Sequence, residues 1–187
     1  MTTSQILNNA VSLRSFVSEL SEGLKNQALE KMAEMLIQNS DSIITANLLD
    51  VNAAKGIISD VMIDRLSLNF DRIRAMAKGI RDVAALPDPV GKVLDSHRRS
   101  DGLLIQKVSV PIGVVAIIYE SRPNVTSDAA ALSFKSGNVC ILRSGKEAYR
   151  TAKEIVNALR KALEMCGIPA DMIQLIDDTS RASATEL

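Results

Sequence analysis

The chain has 187 residues, 47% of them apolar, which suits one full-sized domain with a sizeable core, or one domain and part of another. Lys and Arg total 22, Asp and Glu total 22, and aromatics make up 3%, so the positive excess and stacking platforms of nucleic-acid binders are lacking and no nucleic-acid partner is expected. No run approaches the roughly 20 consecutive apolar residues that span a bilayer, and the start, MTTSQILNNAVS, lacks the basic and apolar parts of a signal peptide; a cytoplasmic protein without membrane contact is expected.

Up to Pro87 the apolar residues recur at helical spacing. Ile6, Ala10, Leu13, Val17 and Leu20 mark the face of a first helix, and Leu24, Ala28, Met32 and Leu36 that of a second. Ser40 or Asp41 is placed to cap a third helix, through IITANLLDVNAA to about Gly56. A short helical piece follows at DVMIDRL. Ile73, Ala77, Ile80 and Ala84 then share a face of a last helix, ended by Pro87 and Pro89. No internal repeat or low-complexity tract is present.

Beyond Pro89 the period shortens. GKVLDSHRR and LLIQKVSV flank the turn signal Ser100-Asp101-Gly102 and predict a hairpin. GVVAIIY is a continuous β-branched run, expected as a strand covered on both faces. A helix from about Thr126 to Lys135, the strand VCILR, a long helix from Glu147 to Met165, the short strand MIQLI and a helix capped by Asp178, Thr179 or Ser180 complete the order. The fold class expected is α/β: N-terminal helices and a β-hairpin, then a partial, Rossmann-like parallel sheet with crossover helices. Three strands make a small sheet, and more chain is expected to follow.

Ligands of such sheets bind outside the carboxyl ends of the strands. Two segments are expected there, side by side. In LRSGKEA, backbone N–H groups at a helix start, close approach at Gly145, and the charges of Arg143 and Lys146 suit a phosphate or ribose; solvated charges at a helix start are the plainer reading. Neither a P-loop nor GxGxxG is present. In YESRPNVTSD, Pro123 holds Arg122 extended, Asn124 can cap the next helix, and Asp128 suits its first turn. The alternative is that the Asn124 amide donates to an oxyanion. Cys140, within a strand, is expected to be core; Cys166 has no base beside it; His97 is expected on the hairpin surface, and it makes no metal spacing with the cysteines.

The stretch VPIGVVAIIYESRPNVTSDAAALSFKSGNVCILRSGKEA resembles the γ-glutamyl phosphate reductase (glutamate-5-semialdehyde dehydrogenase) family of the aldehyde dehydrogenase superfamily. So do DSHRRSDGLLIQKVSVPIG, IQLIDDTSRASATEL and KNQALEKMAEML. The resemblance implies reduction of γ-glutamyl phosphate by NADPH to glutamate 5-semialdehyde and phosphate, in proline biosynthesis, through a cysteine thioester. It implies Asn124 as the oxyanion donor, and Ser121, Arg122, Arg143, Ser144, Gly145 and Lys146 as cofactor-binding residues, with no metal. Lys146 stands where NAD-preferring relatives carry a Glu, which favours the 2′-phosphate of NADP(H). Residues 1–89 are then a helical region, 90–110 a hairpin, and 111–187 the first part of an NADP(H)-binding domain. The catalytic domain and its nucleophilic cysteine are expected outside this chain, so the chain alone is expected to be inactive. Glutamate 5-kinase and further copies of the protein are the partners implied. A non-catalytic nucleotide-binding or oligomerisation module is the alternative.

Overall fold

The structure, a computed structural model, describes residues 2–187. Five helices come first: α1 (Thr3–Ser18), α2 (Glu22–Gln38), α3 (Ser40–Ala54), α4 (Asp60–Leu66) and α5 (Phe70–Ala84). The hairpin follows as β1 (Val93–Arg98) and β2 (Leu104–Val108). Then come β3 (Val114–Ile118), α6 (Pro123–Lys135), β4 (Val139–Arg143), α7 (Tyr149–Met165), β5 (Ile173–Leu175) and α8 (Arg181–Glu186). The α/β class and the alternating order of the second half agree with the sequence.

The apolar periodicities select the faces that are buried. Ile73, Ala77, Ile80 and Ala84 of α5 are all buried, as are Ala152, Ile155, Leu159 and Leu163 of α7. α2 packs between these two helices, so its apolar stripe is broad and includes Ala28, Leu29, Met32, Ala33 and Leu36. The hairpin pairs antiparallel from Val93↔Val108 to Arg98↔Leu104, with a bulge after Val93. Its tip is closed by Gly102 at φ +91, a backbone that glycine adopts without strain. Both strands lie exposed along their length, His97 among them.

The sheet is parallel with order β3-β4-β5. Central β4 is buried from Val139 to Leu142. Cys140 lies towards α6, its Sγ 3.9 Å from the Ala129 carbonyl, and burial pushes its thiol up to about 12. It is a core residue, as expected.

Four sequence expectations are corrected. β3 is not covered on both faces: Ala116 and Ile118 are exposed, because β3 is an edge that pairs only with β4 among the described residues. Neither Ser40 nor Asp41 caps α3; Asn39 is its N-cap, and the Asn39 side chain donates instead to the Met35 carbonyl at the end of α2. One residue thus joins the two helices. The α6 helix begins at Pro123, since proline at the first helical position lacks an N–H that the helix would leave unpaired. At α8 the cap position is Ser180, but no side-chain cap bond forms: the Ser180 hydroxyl donates to Asp178 at 2.9 Å.

Candidate functional site

Two loops leave the carboxyl ends of β3 and β4 and meet. The Tyr119 N–H donates to the Arg143 carbonyl at 3.0 Å, which extends the strand pairing by one residue. A Cβ on Gly145 would lie 3.4 Å from the Cα of Glu120, so glycine lets the two backbones touch. Tyr119 is buried, and its hydroxyl bonds the Thr126 hydroxyl at 2.6 Å, which holds the loop onto α6. Burial raises the Tyr119 phenol well above its ordinary range. The expected adjacency of the two segments is therefore present.

Ser121, Arg143, Gly145 and Lys146 surround one cavity of about 270 Å³. Ser144, between Arg143 and Gly145 in sequence, is buried and does not line it. The hydroxyls of Ser121 and Ser144 and the Nε of Arg143 are buried without hydrogen-bond partners among the described residues. Such atoms are expensive to leave unpaired and so suit a polar ligand. The rest of Arg143 is committed: its Nη2 donates to the carbonyls of Thr179 and Ser180, at 2.7 and 2.8 Å. That ties the end of β4 to the segment after β5. Glu120 and Glu147 also line this cavity, so it carries no net positive charge, and attraction of an anion rests on the exposed Lys146.

Arg122 and Asn124 do not join this cavity. They line a second one, of about 550 Å³, with Asp64, Arg65, Arg72 and Asp128. The peptide between Ser121 and Arg122 thus divides the predicted site into two compartments. Asn124 is the second residue of α6 rather than its cap, and its Nδ2 donates to Asp128 Oδ2 at 3.3 Å. Asp128 is a turn further on than the first turn of α6, and burial raises its carboxyl above the ordinary carboxylate value, against the hydrogen bonds from Asn124 and Ser127.

The helix after LRSGKEA also starts later than its sequence suggests. Lys146–Ala148 form a single 3₁₀ turn, and α7 proper begins at Tyr149. Its N-terminus is met by an acid from another helix. Buried Asp50 of α3 accepts from the Thr151 N–H at 2.8 Å and the Thr151 hydroxyl at 2.7 Å, and Arg150 pairs with the same carboxylate. An internal carboxylate thus already meets the Thr151 N–H and part of the positive end of this helix. Asn47 extends the contact, donating to Thr151 Oγ1 and to the Leu66 carbonyl and accepting from the Leu68 N–H.

Sequence reading missed Asp50, Asn47 and the whole group Asp64, Arg65 and Arg72. Asp50 sits in a helix of modest amphipathicity, and only its position near a distant helix start makes it special. The three residues near α4 carry charges that read as a solvated surface until α6 is packed beside them.

No family model matches the chain. The gamma-glutamyl phosphate reductase of Streptococcus pneumoniae (strain CGSP14) is 58% identical over 168 residues, 90% of this chain and 40% of that protein. The chain therefore spans about two-fifths of the length of this relative. The crystal structure of gamma-glutamyl phosphate reductase from Thermotoga maritima superposes with a TM-score of 0.96 at 39% identity, covering 100% of this chain and 45% of that one. An acetylating aldehyde dehydrogenase from Geobacillus thermoglucosidasius shares the fold at a TM-score of 0.70 and 16% identity, over 99% of this chain and 38% of its own. In sequence and in fold, the chain matches the N-terminal part of gamma-glutamyl phosphate reductase, within the aldehyde dehydrogenase fold.

Proposed function

We propose that this chain is the N-terminal, cofactor-side part of an enzyme that reduces γ-glutamyl phosphate to glutamate 5-semialdehyde and phosphate, in proline biosynthesis. The 58% identity to gamma-glutamyl phosphate reductase is the observation that carries this reading. The nucleophile is a cysteine thiol other than the two here. Cys140 is sealed in the core, and Cys166 ends a helix with its thiol raised by burial. The chain is therefore the first part of a cofactor-binding domain, 111–187, preceded by helices, 1–89, and a hairpin, 90–110.

The ribose and 2′-phosphate end of NADPH suits the smaller cavity, because unpartnered buried hydroxyls and an exposed lysine are placed at the strand ends where such cofactors lie. When bound, it supplies the hydride. Lys146 attracts the 2′-phosphate, and Gly145 keeps the loop free of a side chain. The Ser121 hydroxyl offers a hydrogen bond, and Arg143 fixes the loop from behind. Asn124 has a second amide hydrogen without a partner, which is proposed to donate to the oxyanion that forms at the reacting carbonyl. Exposed Leu94, Leu103, Leu104 and Val108 on the hairpin favour a further copy of the protein as a partner; γ-glutamyl phosphate and glutamate 5-kinase are proposed from the family resemblance.

Two measurements test this. With glutamate 5-semialdehyde, phosphate and NADP⁺, this chain alone is expected to form no NADPH; turnover would overturn the placement of the nucleophile. Lys146→Glu is expected to weaken NADPH binding about tenfold and NADH binding far less. Equal losses for both would overturn the 2′-phosphate assignment.

A further inference from the structure

The larger cavity is separate from the cofactor-side cavity and shares no lining residue with it. Its three arginines differ in how they are engaged. Arg72 is committed within the chain: it donates to the carbonyl of Asp64, to the carbonyl of Ser67 at 2.7 Å, and to Asp64 Oδ1 at 2.8 Å. The exposed guanidinium groups of Arg65 and Arg122 have no hydrogen-bond or ion-pair partner among the described residues. A guanidinium is a planar fork that matches a carboxylate, and two uncommitted ones at one cavity are placed to receive an anionic group.

The same cavity also carries a site for positive charge. Asp128 is half-buried, and Gly79 of α5 leaves room beside it, since a Cβ there would be 3.7 Å from Asp128 Oδ1; Arg72, the cation that α5 brings to this cavity, is engaged with Asp64 and Ser67 instead. The side chains that bond its carboxylate are neutral, the Asn124 amide 3.3 Å from Oδ2 and Ser127, and no cation is paired with it among the described residues. An ammonium beside it would offset the cost of burying a carboxylate.

Resting on the reduction proposed above, we propose that Arg65 and Arg122 hold the α-carboxylate, and Asp128 the α-ammonium, of the amino-acid substrate. The wall between the compartments is the loop from Ser121 to Asn124. A substrate lying in the larger cavity therefore reaches the cofactor across this loop, with its amino-acid end held on the α4–α5 side. The ligand class is an α-amino acid with a free zwitterionic head, rather than a plain dicarboxylate or a free phosphate.

Titration of the chain with stable probes tests this, by amide chemical-shift changes in Arg122, Asn124 and Asp128. L-Glutamate is expected to bind more tightly than glutarate, which lacks the ammonium, and than 4-aminobutyrate, which lacks the α-carboxylate. Arg122→Gln is expected to weaken L-glutamate and glutarate about tenfold and to leave 4-aminobutyrate unchanged. Asp128→Asn is expected to weaken L-glutamate and 4-aminobutyrate and to spare glutarate. Equal binding of the three probes, or displacement of L-glutamate by inorganic phosphate at equal concentration, would overturn the proposal. Arg65→Lys, which keeps the charge and loses the fork, guards against a misfolded variant: full L-glutamate affinity in it would also count against the proposal. NADPH titration of the same variants reads the cofactor side separately. Loss of NADPH binding in the unmutated chain would sink the proposed reduction without touching the glutamate pattern.

Discussion

A Cβ on Gly145 would stand 3.0 Å from Glu147 Oε2 and 3.4 Å from the Cα of Glu120. Its φ is −61°, so the backbone there tolerates any residue, and only space is at issue. Glu147 is a flexible side chain and can withdraw. Gly145→Ala is therefore expected to cost less than about 1 kcal/mol in a urea titration, yet to weaken NADPH binding by crowding the cavity. Gly137 is the opposite case. Its φ is +74°, and a Cβ would come within 2.8 Å of Pro111 Cγ. Gly137→Ala is expected to cost about 2–3 kcal/mol, since both strain and overlap must be accommodated. Equal costs at the two positions would contradict this distinction. Glycine was legible in the sequence at both sites, but the reason for it was not: the Glu120 backbone beside Gly145 and the Pro111 ring beside Gly137 arrive only when distant segments pack together.

At the scale of elements, α7 shows how a helix can be capped from elsewhere. Ala148, at its N-cap, has no side chain to offer, and Asp50 of α3 takes that role for the Thr151 N–H. Asp50→Ala is expected to lower stability by about 1–3 kcal/mol, because it leaves the Thr151 N–H and hydroxyl hydrogen without an acceptor. A change in the urea midpoint within error would show that water takes over the cap. The apolar stripes of α5 and α7 were legible because burial of one face forces a 3.6-residue period. The start of α7 was not, because it depends on an acid about a hundred residues earlier. At α6 the sequence offered two readings of Asn124, cap or amide donor. Pro123 at the first helical position moves Asn124 inside the helix, which removes the first reading and leaves its amide at a cavity wall.

The whole molecule is joined by a buried polar knot between its helical and sheet regions. Lys25 of α2 is 1% exposed and pairs with Asp88, while Lys135, which ends α6, donates to Asn26 Oδ1 at 2.5 Å and to the Ala84 carbonyl at 3.0 Å. Burial opposes ionisation of Asp88, and the bonds from Lys25 and the Val90 N–H outweigh it, so its carboxyl is held below the ordinary 3.8. A depressed folded value means that the unfolded chain takes up its proton first as pH falls. The stability from Asp88 is thus present above about pH 3.8 and is lost as pH falls through the lower folded value. Asp88→Asn is expected to cost about 3 kcal/mol at pH 7, by leaving the Lys25 ammonium buried and unpaired, and the gap to the unmutated protein should narrow below pH 3.8. A gap that stays constant between pH 7 and pH 3 would remove Asp88 from this role. Lys25 was detectable in principle: it stands four, seven and eleven residues before Leu29, Met32 and Leu36, on the apolar stripe, where a charge requires a partner.

Local patterning alone determined that this chain forms helices, then a hairpin, then alternating strands and helices, since apolar period and turn residues act over a few positions. It also determined that the segments after Tyr119 and Leu142 lie together, because parallel strands carry their following loops to one edge. Only the tertiary structure decided that these segments border two cavities rather than one, that the α7 N-terminus is met by Asp50, and that β3 keeps an exposed face. Those outcomes depend on which side chains meet across long sequence separations. Periodicity reports which face of an element is buried, but not which partner buries it.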